Sequence, residues 1–323
     1  MGRRAVSLVV AIVIVAAAVV ALVVALAAPS AIQAIDLVPQ NANFVAGIQI
    51  SKILTDEDIA EAYNEVEKPP EWPQTIDDAL AWVDNEIGID PSDFTDALIF
   101  GDIESEDSFG ALVIGTFDPE ALIDSIEGAV GEEMSISTYE GYQVYTVTIG
   151  DQAGAICFLS DDTIAVGLED GVKDVIDVRE GAPHLSGPVY DSYTSLGDVW
   201  LKGALRMPED AMGAISEWEI PIGLDAFEGI QTVGFGLNKE GEDLSLQIKL
   251  HFSDTESAEA AEDMISGILD FLPLMMPDIP SEIADLLDGL SVSRSGSWLT
   301  ISLETTVTGI EGLMEGDTSF FDI

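Results

Sequence analysis

The sequence predicts an α+β protein: an N-terminal transmembrane helix followed by two similar halves, each an antiparallel sheet with helices on one face. Three observations lead there. An uninterrupted apolar run opens the chain. After it, short alternating or β-branched runs bounded by Gly, Asn and Asp alternate with stretches of helical period that carry N-terminal caps. The order strand, turn, strand, helix then occurs twice, at an offset of 135 residues.

The apolar run, Ala5 to Ala28, is twenty-four residues without a charge, and Arg3 and Arg4 precede it. At about 1.5 Å per residue such a helix spans roughly 36 Å, enough for a hydrocarbon core of about 30 Å with some tilt. Its many β-branched residues (Val9, Val10, Ile12, Val13, Ile14, Val15) are mediocre helix formers in water. Lipid overrides that weakness, because a helix satisfies every backbone N–H and C=O internally. The two arginines direct the N-terminus to the cytoplasm and the rest of the chain outside. The rival is a cleaved signal peptide, whose apolar region runs about 7 to 15 residues before a small-x-small site. Here the run is longer, and Ile32 stands where Pro29-Ser30-Ala31-Ile32-Gln33-Ala34 would need a small residue. Residues 1–34 therefore read as cytoplasmic tip, signal-anchor and short stalk. Cleavage would secrete the domain instead.

Phe44 to Ile50 reads as the first strand. Helical stretches at Asp56 to Val66 and Ile76 to Ile87 are separated by Pro69-Pro70-Glu71-Trp72-Pro73, which cannot continue a helix. Strands at Asp96 to Asp102 and Phe109 to Phe117 flank an acidic turn. Asp118-Pro119-Glu120 then supplies a cap, a proline at the first helical position and an acid in the first turn. Four short strands follow, Met134 to Tyr139, Tyr142 to Thr148, Ala153 to Leu159 and Thr163 to Leu168, and then a helix from Glu169 to Val178. The Gly- and Pro-containing stretch 181–188 reads as a linker between halves 35–180 and 189–323.

Sliding the chain by 135 residues places Phe100-Gly101 on Phe235-Gly236 and Phe117 on Phe252. Both copies then read strand (Ile230 to Leu237), strand (Leu244 to Phe252) and helix, the second opened by the capping box Ser253-Asp254-Thr255-Glu256. Val199 to Arg206 answers Phe44 to Ile50. Leu290 to Ser293 and Trp298 to Leu303, around a Ser295-Gly296 turn, answer Tyr142 to Thr148.

Several segments carry a resemblance: Val38-Pro39-Gln40-Asn41-Ala42, Phe117-Asp118-Pro119-Glu120-Ala121-Leu122, Tyr139-Glu140-Gly141-Tyr142, and Leu159 to Gly167 with Val172, Val175 and Ile176 after it. With them the chain resembles a broad family of uncharacterised prokaryotic exported proteins, N-terminally anchored or secreted, with a duplicated extracytoplasmic α+β region. The likeness covers most of residues 37–315. It implies location and architecture and brings no catalytic residues.

Residues 35–323 hold 60 acids against 9 bases, a net charge of −51. Such a field repels nucleic-acid phosphates and anionic headgroups. Because 47% of the chain is hydrophobic and the acids are dispersed among apolar residues, the chain is expected to fold. Self-repulsion of this size is relieved by salt, so the surface reads as salt-adapted. Cys157 is alone, in an apolar strand-like run, and reads as a buried inert thiol.

Hydrolase and nucleotide signatures are missing; Gly234-Phe235-Gly236 lies within a strand, where glycine relieves crowding. Two histidines, His184 and His251, and one cysteine make zinc or copper sites improbable. No catalytic or metal residues are assigned, and no cofactor. Surface divalent cations are considered at two acidic stretches, Asp102 to Asp107 and Asp90, Asp93 and Asp96, against solvated turns as the ordinary reading. The first lacks the glycine and final glutamate of a calcium loop. The remaining candidate is a groove for an apolar ligand, formed by Met264, Ile268, Phe271, Leu274, Met275 and Met276 ahead of the proline-broken Pro277-Asp278-Ile279-Pro280. The leading expectation is a non-enzymatic, membrane-anchored cell-envelope interaction or scaffold protein whose partners are the membrane, through its anchor, and an envelope protein. The alternative is a carrier or sensor of a lipid or other apolar ligand.

Overall fold

The computed structural model describes residues 34–65, 72–87, 90–104, 108–149, 152–208, 227, 229–275, 281–307 and 309. The run Ala5–Ala28, which carries the membrane-anchor expectation, lies outside them. Among the described residues no helix is long and apolar enough to cross a membrane. The fold is mixed α+β, and the chain divides into two compact units, Met1–Leu185 and Ser186–Ile323.

The first unit contains β1 (Phe44–Ile48), β2 (Phe94–Gly101), β3 (Gly110–Gly115), β4 (Ser135–Tyr139), β5 (Tyr142–Ile149), β6 (Gln152–Phe158) and β7 (Thr163–Leu168). They pair in the order β1-β2-β3-β7-β6-β5-β4, antiparallel throughout. Its helices are α1 (Ile50–Leu54), α2 (Glu57–Glu65), α3 (Ile76–Ile87), α4 (Pro119–Val130) and α5 (Glu169–Arg179). Asp118 opens α4 by accepting the N–H groups of Glu120 and Ala121 at 3.1 and 3.2 Å. Gly131, at φ 77°, closes it in the left-handed region that favours glycine. Leu122, Ile123, Ile126 and Val130 of that helix pack with Val113, Val147, Ile156 and Ile164 of the sheet.

Helices cover both faces of this sheet, which corrects the one-face expectation. Successive strand residues point to opposite sides. Ala155, Cys157 and Ala165 thus face away from Ile156 and Ile164, and they too are buried. The buried side chains of α5, Val172, Val175 and Ile176, serve that second side. There the Tyr139 hydroxyl donates to the Asp177 carboxylate at 2.9 Å, and Tyr142 to Glu180 at 3.0 Å. Two covered faces explain why β2 and β3 are buried along nearly their whole length, unlike a one-sided sheet with alternating exposure.

The second unit orders β8 (Leu201–Arg206), β9 (Ile230–Glu240), β10 (Asp243–Phe252), β11 (Leu290–Ser295) and β12 (Trp298–Thr306) as β8-β9-β10-β12-β11, again antiparallel. Its helices are α6 (Pro188–Ser195), α7 (Thr255–Met275) and α8 (Ser281–Gly289). The start of α7 lays Ala258, Ala261 and Ile265 on Leu250, Phe252 and Leu299. On the other face, a Cβ at Gly234 would collide with the Ser192 hydroxyl of α6, and one at Gly236 would crowd Leu196. These glycines let α6 approach the sheet, as expected of glycine inside a strand.

The units agree in their first three strands and the helix after them, β1-β2-β3-α4 and β8-β9-β10-α7. The difference is the β4–β5 hairpin, which has no counterpart among the described residues of the second unit. β12 joins β10 at the place where β7 joins β3, so the β11–β12 hairpin answers β6–β7 and not the segment around Tyr142 to Thr148. Among the described residues the sheets hold seven and five strands respectively. Helix α6 was not foreseen either: Pro188 at its first position, after Gly187 at φ 78°, starts a helix at the end of the stretch read as linker.

Candidate functional site

The apolar groove expected in the second half falls on α7. Its core stripe is Ala258, Ala261 and Ile265, with the two alanines fully buried. At about 100° per residue, Met264, Ile268 and Phe271 form a second stripe roughly 90° round the helix. Met264 and Ile268 are half-buried, and Phe271 is 57% exposed. Leu274 and Met275 belong to the last turn of α7, their side chains outside the described set, and Met276 lies outside the described residues. The described part is thus a closely packed helix with an apolar flank that turns outward toward its C-terminus.

A depression of about 510 Å³ in the same unit has the opposite chemistry. It is lined by Asn238 and Glu240 of β9, Asp243 and Ser245 of β10, and Glu304, Thr305 and Thr306 of β12. Carboxylates and hydroxyls around an open hollow do not solvate an apolar ligand. Among the described residues no group of three or more His, Cys, Asp or Glu is placed to hold a metal.

The acids weighed as calcium ligands have local structural partners. Asp90 accepts the Ser92 N–H at 2.9 Å and the Ser92 hydroxyl at 2.7 Å, bonds that hold its carboxyl below the usual range. Burial, and then the Asp90 charge, push the neighbouring Asp93 up. Asp96 is fully buried in β2, away from that turn. Asp102 takes the Asn43 amide and the Glu104 N–H, closing the turn after β2, and residues 105–107 lie outside the described set. His184 is exposed and forms a backbone bridge with Pro39. His251 is half-buried in β10 against Trp298, ring centroids 4.5 Å apart, and burial lowers its pKa. Cys157 is completely buried, and burial pushes its thiol up to about 11.

Sequence reasoning did not anticipate the use made of lysine. Lys202 donates to the Gly197 carbonyl at 2.6 Å beneath the Tyr193 ring, and Lys249 to the Ser195 carbonyl and hydroxyl at 2.9 and 2.8 Å. Lys239 lies 5.5 Å from the Trp200 ring centre. Three of the chain's six lysines therefore serve the C-terminal end of α6 and the loop after it, where helix carbonyls are unpaired and the dipole is negative. Their ammonium groups are engaged by protein oxygen and aromatic faces. A faint signal existed for two of them: Lys202 and Lys249 interrupt otherwise apolar stretches of their strands.

No protein-family profile matches the chain, and no curated protein matches it. Among solved structures, it is similar to crystal form III of TP0453, at 8% identity over 87% of this chain and 96% of that one, with a TM-score of 0.49. Crystal form I of TP0453 is similar at 8% identity over 87% and 95%, with a TM-score of 0.46. Crystal form IV is similar at 10% identity over 87% and 96%, also at 0.46. At these levels no residue role passes from those proteins to this one.

Proposed function

We propose that the chain is a non-enzymatic interaction or scaffold protein of the cell envelope, anchored by Ala5–Ala28 with its acidic, salt-adapted α+β region outside the membrane. The carrying observation is the contrast along α7. Ala258 and Ala261 are fully buried against Phe252 and Leu299, whereas Phe271, on the apolar flank of the same helix, is 57% exposed. Solid packing below an outward apolar side chain favours contact with another macromolecule over an enclosed ligand chamber. The matching starts of the two units, β1-β2-β3-α4 and β8-β9-β10-α7, support the further reading that the region arose by duplication and that the second copy then lost or exchanged strands.

A second reading, a carrier or sensor of an apolar ligand, draws on Met264, Ile268 and Phe271 sharing one face next to the core. Both are tested by placing a photo-crosslinking amino acid at Phe271 of the full chain in intact cells of its native host. Adducts of discrete protein mass support the interaction reading. Lipid-sized adducts in their place transfer support to the carrier, and an absence of adducts counts against both.

A further inference from the structure

The first unit's sheet ends at β4, which among the described residues pairs only with β5. The β4–β5 hairpin turns through Glu140 at φ 47° and Gly141 at φ 91°, the two positive values of a type I′ turn. In such a hairpin the closing pair, Tyr139 and Tyr142, is hydrogen-bonded, and bonded pairs then recur at every second residue. Ser135, Ser137 and Tyr139 thus bond to β5, while Met134, Ile136 and Thr138 direct their backbone groups outward. Met134 fits this parity, since its N–H donates to the Glu127 carboxylate at 2.7 Å and is already covered. The N–H and C=O of Ile136 and Thr138 are left at the edge.

Natural edge strands are guarded by charge, proline or a covering element. Ser135–Tyr139 contains no charge and no proline, in a chain with 60 acids. Its Ile136 side chain is 62% exposed, on the sheet side where its partner Tyr145 packs with the core. The strand is also held in place, by Tyr139 to Asp177 at 2.9 Å and by Ser135 to the Thr146 hydroxyl at 2.7 Å. Acids stand just outside it, Glu132 and Glu133 before and Glu140 after, all exposed. An uncharged template with acidic ends fits an added strand that is apolar in the middle and basic at both ends. A second copy would fit worse, because antiparallel β4–β4 pairing with Ile136 opposite Ile136 brings Glu132 of one chain opposite Glu140 of the other.

We propose that β4 is a strand-addition site for an extended segment of a cationic partner protein, with a β-branched residue covering Ile136 and Lys or Arg meeting Glu132, Glu133 and Glu140. This rests on the interaction reading and specifies its surface. The test uses the full chain in lipid nanodiscs and a fluorescent peptide, Lys-Arg-Thr-Val-Thr-Val-Thr-Arg-Lys, followed by anisotropy. The expected result is saturable binding, lost when prolines replace the valines at equal charge. Thr138→Pro, which removes one outward N–H and spares the β5 ladder, should weaken it about tenfold, the worth of roughly one ladder hydrogen bond. Ile136→Glu, at an exposed site, should weaken it as well and guards against a folding defect in the proline variant. Equal binding of the proline peptide, or parent-like binding by both variants, would reveal mere attraction to a polyanion and overturn the site. No binding would overturn it too. So would dimers in sedimentation that Thr138→Pro disperses, since these assign the edge to a second copy. Any of these failures leaves the crosslinking result at Phe271 intact, so the loss of this site is distinguishable from the loss of the interaction reading.

Discussion

Two helical glycines give alanine substitutions of opposite sign. Gly128 lies in α4 with nothing within 4 Å of a built Cβ, so Gly128→Ala gains helix propensity alone, about 0.5–1 kcal/mol. Gly171 lies in the first turn of α5, where a Cβ would stand 2.7 Å from the Phe109 carbonyl oxygen and 3.0 Å from its carbon. Ordinary contact begins at 3.4 Å, so the helix or the start of β3 must give by roughly 0.7 Å. The carbonyl is not free to move, because the Leu168 N–H donates to it at 3.0 Å. Overpacking costs about 1–3 kcal/mol and a weakened hydrogen bond about 1 more, against at most about 1 gained in propensity. Gly171→Ala should therefore destabilise the first unit by about 1–3 kcal/mol. With a urea slope near 2 kcal/mol/M, the midpoint falls by roughly 0.5–1.5 M, while Gly128→Ala raises it slightly. Urea unfolding of the full chain in mild detergent, with hydrogen exchange of peptides from 163–179 to locate the effect, reads both. If Gly171→Ala raised the midpoint as Gly128→Ala does, the close docking of α5 on β3 would be wrong.

Three further outcomes are expected. At a net charge of −49, the melting temperature should rise between 10 mM and 2 M potassium chloride as the Debye length shrinks from about 30 Å to a few Å; an unchanged value removes the salt-adaptation argument. Burial lowers the His251 pKa below its ordinary 6.5, so the unfolded chain takes up a proton first as pH falls. Stability carried by the neutral ring is complete above about 6.5 and is lost as pH falls toward the folded pKa, a decline that His251→Phe should flatten in melts between pH 7.5 and 5.5. Cys157, with its thiol pushed up to about 11, should resist a thiol reagent at pH 8 until urea unfolds the first unit. Reaction at the rate of free cysteine in the native protein would contradict its burial.

Local chemistry written in contiguous residues was legible. The cap Asp118-Pro119-Glu120, the turn Glu140-Gly141, the β9–β10 hairpin and the interior place of Cys157 each follow from side chains next to one another in the chain. The candidate site was legible in part. The apolar period of α7 is visible in the sequence, but which of its stripes meets the sheet depends on Phe252 and Leu299 arriving from other strands.

Strand pairing was beyond reach, because it joins segments far apart. The β7–β3 and β12–β10 pairs each bring a later strand back beside the third strand of its unit, and neither pair has a local signal. The second covered face was also hidden. Small residues such as Ala155, Ala165, Gly234 and Gly236 do not announce themselves as core, yet their size is what lets α5 and α6 come close. The same holds for the lysines beneath α6 and for the outward groups of Ile136 and Thr138. A side chain's type is set by the sequence, but whether its polar neighbours are water or protein is decided by what tertiary packing brings beside it.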